Sequence, residues 1–337
     1  MRGRIVLAAV VALICASAPL LPPFTLTLLT EGLIFGLFAM SLDLMVGYTR
    51  LYSFGHAAAY GLGAYSTALI LIHFDWPLPI GMLAGVAIST LIAIPIAWLC
   101  TRSTGVSFAM LTLAFAQLGY AMLYRFKEFT GGSDGIGGIP RPAGPFGLDF
   151  FQGKLGYFYV VMFCLLASFA LCSVLVTSPF GAVLAGIREN EAKTRALGYN
   201  TRAYKIAVVV VAYALGSLAG ALYTAFAGFV APELFFWLVS GRVLIMVVVG
   251  GAGTLIGPII GGVFFVVLEH QLSEVTELWP LAFGAIFIAF VMLAPEGIWG
   301  LLSRLEKSDA RDRKPDFRDQ TFDKNIRNPT SGNHAAS

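Results

Sequence analysis

Charge is what this sequence has least of. Only 12% of its 337 residues are Asp, Glu, Lys or Arg, against 58% that are hydrophobic. A soluble domain of this length has no interior large enough for so much apolar surface, so lipid is the solvent for most of the chain. The net charge of +3 is spread over loops and tail. No clustered basic face exists, which excludes nucleic acid as a partner. Cysteine is scarce as well. Cys15, Cys100, Cys164 and Cys172 all lie inside apolar runs without metal-like spacing and read as small core residues. His56 and His270 stand isolated, and His73 precedes Asp75 in a plain loop. With no paired ligand set and no nucleophile–base pair at recognisable spacing, no metal or catalytic site is expected.

Long apolar runs fill the space the charges leave. Residues 1–21 carry Arg2 and Arg4, an apolar run, then Ala16-Ser17-Ala18. That layout fits either a cleaved signal peptide or an uncleaved first helix, and the apolar character that continues past Pro22-Pro23 favours the helix. Residues 24–48 form the next span, with Glu31 and Asp43 inside it. An acid in a membrane helix must face protein or water, so each is either functional or close enough to a helix end to reach the interface. Further spans are expected over 76–101, 103–124, 155–177, 206–230 and 278–294.

Two apolar stretches are rich in small residues. Ser53-Phe54-Gly55-His56-Ala57-Ala58-Ala59-Tyr60-Gly61-Leu62-Gly63 suits either close helix–helix approach or a broken helix lining a cavity. His56 either binds substrate or hydrogen-bonds across a helix interface, the second being the stronger reading. The run 243–268 contains Gly250-Gly251-Ala252-Gly253-Thr254, then Gly257-Pro258 and Gly261-Gly262. It is so interrupted that two shorter segments joined at Gly250–Thr254 are expected. Gly-broken segments in both halves are what a repeat-built transporter with a midplane pathway presents.

Polar punctuation is confined to three places. The 125–154 loop, with Gly131 to Pro140 at its centre, has no Gly-Lys-Ser/Thr and no preceding strand, which rules out a phosphate-binding loop. The tail, residues 301–337, has few apolar residues and is expected to be disordered. The third place is Thr177–Lys205. Pro179 and Gly181 break the preceding run and Gly198-Tyr199-Asn200 ends the helix between. Glu189 precedes Lys193 by four residues and Glu191 precedes Arg195 by four, while Ala185, Ala192 and Ala196 share a helical face. Such a segment is either a charged loop touching water and headgroups or a surface that another protein approaches closely. Its five Lys/Arg against two Glu place it in the cytoplasm. With it on that side, parity closes at about ten transmembrane segments with both termini cytoplasmic, and the 125–154 loop is extracytoplasmic.

With these pieces assembled, the chain resembles the permease subunits of branched-chain amino acid ABC importers, of the LivM type. The resemblance runs from about Gly36 to Gly297 and rests on motifs in order. They are Leu-Tyr-Ser-Phe-Gly-His from Leu51, Leu-Thr-Leu-Ala-Phe-Ala from Leu111, Thr-Gly-Gly-Ser-Asp-Gly-Ile from Thr130 and Ile-Arg-Glu-Asn-Glu-Ala from Ile187. Val-Val-Val-Gly-Gly-Ala-Gly-Thr from Val247 and Pro295-Glu296-Gly297 complete the set. It implies an all-α polytopic fold whose residues 1–300 form one membrane permease domain in a bacterial inner membrane. It also implies that Ile187, Arg188, Glu189, Glu191, Ala192, Arg195, Ala196 and Gly198 belong to a coupling helix docking on an ATP-binding subunit. The implied partners are a second permease of the LivH type, two ATPases that carry ATP-Mg, and an extracytoplasmic solute-binding protein. No cofactor is expected on this chain. Path residues are expected among Ser53, Gly55, His56, Tyr60, Gly61, Gln117, Gly250, Gly251, Gly253 and Thr254.

Two positions depart from the family's pattern. Many relatives carry an acid where Gln117 stands and a less basic residue than Arg242. If these touch cargo, urea, amides, other amino acids or aromatic acids replace the branched-chain amino acid. Two other classes compete with the importer subunit. A secondary transporter would use Glu31 and Asp43 as proton or sodium sites and leave the 178–205 helix without a partner. A membrane enzyme lacks its motif.

Overall fold

The computed structural model describes residues 15–74, 76–140, 152–275, 277–293 and 297–300. Residues 1–14 of the expected first span, the tail from residue 301 and the pair Pro295-Glu296 lie outside them. Among the described residues the fold is helical apart from one short strand pair. In chain order the main helices are α1 (Pro23–Thr49), α2 (His56–Phe74), α3 (Leu78–Cys100), α4 (Val106–Arg125) and α5 (Lys154–Thr177). They continue as α6 (Pro179–Ala196), α7 (Thr201–Ala227), α8 (Trp237–Gly250), α9 (Ile256–Val275) and α10 (Trp279–Leu293).

Seven of these, namely α1–α5, α7 and α9, are long and apolar enough to cross a membrane. The 14 residues of α8 and the 15 of α10 are shorter. The expected count of about ten is therefore approximate: seven described helices meet the length and apolarity of a span, and most of the expected first span lies outside the described residues. The run 243–268 does divide. α8 stops at Gly250, a turn with positive φ at Gly251, Gly253 and Leu255 follows, and α9 starts at Ile256. Residues 201–205, expected in the polar insert, are the first turns of α7.

The centre of the bundle is made by α1, α2, α7 and α9. α2 packs mainly on α7, and α1 mainly on α9 and α7. Small residues make these contacts close. A Cβ at Gly63 would collide with the Ser217 carbonyl, and one at Gly220 with the Tyr60 carbonyl. α2 runs unbroken through Gly61 and Gly63, so of the two readings of that stretch, close approach is the one realised. α1 is buried nearly all round, whereas α3, α4 and α5 are exposed over most of their surface, as lipid-facing helices are.

At the α6 end, Arg102 lies 3.9 Å above the Trp98 ring, and Arg202 donates to the Trp98 carbonyl at 3.0 Å. Trp flanked by Arg is the composition of a membrane–water boundary. At the opposite end the loop after α4 is anchored. β1 (Ile136–Gly137) pairs antiparallel with β2 (Phe229–Val230), with Ile136 opposite Val230. Cys100 and Cys172 are buried, and all four cysteines are free.

Candidate functional site

Two places on the molecule combine polar chemistry with membrane-embedded backbone, and they lie at opposite ends of the bundle. The first is the α6 segment. Pro179 opens the helix at a position where a missing N–H costs nothing. Asn190, at φ −158° and ψ 101°, divides α6 into two pieces, and its side-chain oxygen accepts from the Lys193 N–H at 2.9 Å, capping the second. The kink corrects the sequence reading. Ala185 and the pair Ala192 and Ala196 stand on different sides of the break, so all three cannot form one helical stripe. Glu189 and Lys193 also flank it, whereas Glu191 and Arg195 pair at 3.0 Å.

The expected coupling residues divide into inward and outward sets. Ile187 is buried in the protein's own core. Arg188 donates to the Gly47 carbonyl at the end of α1 at 2.7 Å. Glu191 is held by Lys205 of α7 at 2.6 Å and accepts from the Thr201 hydroxyl at 3.1 Å. Burial by itself would raise the Glu191 carboxyl, but Lys205, Thr201 and Arg195 outweigh it and hold the group below the ordinary glutamate range. Glu189, Ala192, Arg195, Ala196 and Gly198 face outward. Beside them stand Leu197, 77% exposed, and Tyr199, which sequence reasoning missed. Two apolar side chains displayed between charges were the available signal.

Next to Arg188 lies the turn between α8 and α9. Asp43, fully buried, accepts the N–H of Gly253 at 2.7 Å and of Leu255 at 3.2 Å. Its carboxylate thereby occupies the N-terminal end of α9, where the helix dipole favours negative charge. Gly251, Gly253 and Thr254 build this turn, and Gly250 packs against Gly257 at its base. Asp43 is thus tied into the backbone.

The second place is a cavity of about 370 Å³ toward the end opposite α6. Glu31 and Phe35 of α1, Tyr223 of α7, Arg242 of α8, and Glu269 and His270 of α9 line it, with Glu233 from the connection before α8. Arg242 and Glu269 pair at 3.3 Å, with side chains 46% and 26% exposed. Glu233 accepts from the Tyr124 hydroxyl at 3.0 Å. Of the expected path residues, only Tyr60 lines this cavity.

Ser53, Gly55 and His56 form a packed knot instead. His56 Nε2 lies 2.7 Å from the Ser41 hydroxyl, its ring stacks on Phe38, and Ser240 accepts the Ala57 N–H at 2.8 Å. Ser41 donates to the Phe38 carbonyl, so His56 is the donor to Ser41, which assigns the proton to Nε2. Gly61 abuts Phe235, and Gln117 is half-buried on α4, away from the cavity. Glu233, Glu269, His270 and Tyr223 were missed as a group because they come from three separated stretches, and only ionisable residues at membrane depth hinted at them. No group of three or more His, Cys, Asp or Glu among the described residues is placed to hold a metal ion.

A polytopic helical bundle with a charged internal cavity and a polar segment projecting at its far end is a membrane transport protein. The family described as branched-chain amino acid transport system, permease component, matches residues 24–294, and the chain belongs to it. Among its relatives is the high-affinity branched-chain amino acid transport system permease protein LivM of Escherichia coli K12. It is 28% identical over 81% of this chain and 69% of its own length. LivM of Salmonella typhimurium LT2 is likewise 28% identical, over 80% and 68%. A probable LivM of Methanocaldococcus jannaschii is 25% identical over 48% of this chain and 52% of its own. No solved structure matches.

Proposed function

We propose that this chain is one of the two permease subunits of an ATP-binding-cassette importer for branched-chain amino acids. It provides part of the path, binds no nucleotide itself, and takes its motion from ATPases that carry ATP-Mg. A LivH-type permease and an extracytoplasmic binding protein complete the assembly. The α6 end then faces the cytoplasm with both termini, in keeping with the Arg102–Trp98–Arg202 cluster on that side.

The observation that carries the reading is the two-sided construction of α6. Its inner side is fixed to α1 through Arg188 and to α7 through Glu191. Its outer side offers Ala192, Ala196, Leu197 and Tyr199 to a partner. A rigid element fixed to two spans transmits a push as a rigid-body motion of those spans. A plain surface loop needs neither the buried Lys205 partner nor the bond to Gly47.

The test is ATP hydrolysis by the reconstituted assembly. Leucine-loaded binding protein is expected to stimulate it, and Ala192→Arg is expected to abolish stimulation while leaving the permease pair folded and monodisperse. Stimulation unchanged in Ala192→Arg contradicts docking through this surface. Stimulation by urea, an amide or an aromatic acid but not by leucine or valine keeps the mechanism and changes the cargo.

A further inference from the structure

We propose that Arg102 and Arg202, gathered on the Trp98 ring, bind the headgroup phosphate of an anionic phospholipid whose acyl chains lie along the outer face of α3. Such a site is independent of the cargo and needs only that the chain spans a membrane.

The charges come first. Arg102 follows α3 closely, and its guanidinium carbon lies 3.9 Å from the centroid of the Trp98 ring. Arg202, in the first turn of α7, places its own at 5.3 Å from the same centroid. No carboxylate pairs with either arginine among the described residues. Helix capping does not account for Arg102. The carbonyls that end α3 are met by other donors, Thr101 on Ala97 and Ser103 on Cys100 at 2.8 Å, and Arg202 on Trp98 at 3.0 Å. The Arg102 side chain makes no hydrogen bond among the described residues. Arg202 uses one Nη on the Trp98 carbonyl, while its Nε–H is buried without a partner. An unpaired donor on a buried part of a charged group is costly. Two like-charged forks on one ring call for an anion, and phosphate is the group that arginine grips with two donors at once.

The surface beside them says which phosphate. Ile88, Leu91, Ile94 and Trp98 are all exposed and fall on one face of α3, with Arg102 one turn beyond Trp98 on the same line. At about 1.5 Å per residue, Ile88 to Trp98 covers roughly 15 Å, the hydrocarbon depth of one leaflet. Trp98 then stands at the headgroup level, where that residue type collects. A soluble anion would meet the arginines and leave the apolar face bare, and a docked soluble protein would not reach into the hydrocarbon. An anionic lipid covers both, as basic pockets between helices at a membrane surface do for charged headgroups.

The experiment reconstitutes the complete transporter in phosphatidylcholine nanodiscs. Phosphatidylglycerol or phosphatidylcholine with brominated chains is added at rising mole fraction. Quenching of Trp98 is read as the difference in emission between the wild-type complex and one carrying Trp98→Phe. Brominated phosphatidylglycerol is expected to half-quench at a mole fraction about twentyfold lower than brominated phosphatidylcholine, roughly fivefold per interfacial arginine. Arg102→Gln is expected to cut that preference to about fivefold. Arg50→Gln, which removes an exposed arginine at the end of α1 outside the Trp98 cluster, is expected to leave it unchanged.

Equal quenching by the two lipids overturns the assignment. So does a preference that Arg50→Gln lowers as much as Arg102→Gln, the mark of a general surface potential. Displacement of brominated phosphatidylglycerol by inorganic phosphate, at an ionic strength matched with chloride, gives the site to a soluble phosphate instead. Loss of the ATPases from the Arg102→Gln complex with lipid preference intact gives it to a protein partner. If Arg102→Gln fails to assemble, Arg202→Gln replaces it under the same expectation, and an unaltered preference there likewise counts against the site.

Discussion

Glu191 of α6 and Lys205 of α7 stand 2.6 Å apart, with the lysine only 3% exposed. An acid in the motif of an interaction helix invites assignment to the partner, yet this one is engaged within its own chain. Removing it leaves an ammonium buried without a counter-charge. Glu191→Ala is therefore expected to cost about 1–3 kcal/mol, below the range for a fully buried pair because the carboxylate is a quarter exposed. Thermal unfolding in detergent measures this. The double variant Glu191→Ala/Lys205→Met, which removes both charges, is expected to recover most of the loss. An equal or greater loss in the double variant would show that the pair is not the cause.

The same pair sets a pH dependence. Because Glu191 titrates below its ordinary value when folded, its contribution is complete above the glutamate range and disappears as pH falls through the folded pKa. Backbone hydrogen exchange in α6 is expected to be unchanged from pH 8 to 6, after correction for intrinsic rates, and to accelerate in acid. In Glu191→Gln the acid step is expected to vanish. An acid step that persists there assigns the effect to another group.

Asp43 gives a second test of the α6 end. Asp43→Ala strips two N–H groups, the part-buried one of Gly253 and the buried one of Leu255, of their acceptor. The expected cost is at most about 2–6 kcal/mol, two unsatisfied donors at roughly 1–3 each, with the part-buried Gly253 N–H toward the lower end. Asp43→Asn keeps one acceptor oxygen and is expected to lose about half as much. Equilibrium unfolding of the two variants distinguishes a backbone anchor from an ion site. A coupling-ion role, as in a secondary transporter, predicts instead that transport becomes independent of sodium or pH in Asp43→Asn.

The α2–α7 contact answers to volume. Gly63→Ala and Gly220→Ala each force a methyl onto a backbone carbonyl of the other helix, and each is expected to cost at least about 1–3 kcal/mol. Gly241→Ala, with nothing within 4 Å of the added carbon, is expected to be neutral or slightly stabilising. Comparable losses at all three positions would mean that the bundle is packed less closely than described.

Much of this architecture was legible in the sequence, for physical reasons. Lipid requires each spanning segment to satisfy its own backbone, so the spans appear as apolar runs, and the Gly250–Thr254 break appears as a cluster of glycines. The polar insert was legible for the converse reason. The direction in which its side chains point was not. Glu191 pairs with a lysine 14 residues away, and the Asn190 kink that turns it inward has no distinctive local sequence. For His56 the stronger of the two readings, a hydrogen bond across a helix interface, is the one found: Ser41 of α1 accepts from its Nε2 and Phe38 stacks on its ring. The cavity was least visible, since Glu31, Arg242 and Glu269 meet only through the packing of α1, α8 and α9.

The most direct measurement of the central claim is uptake of radiolabelled leucine into proteoliposomes. They would contain this chain with its permease partner and ATPases, the binding protein outside and ATP inside. Accumulation that requires ATP and binding protein together, and is unaffected by collapsing proton and sodium gradients, is the expected result. Accumulation by this chain without the ATPases, abolished when an ion gradient is collapsed, would contradict it.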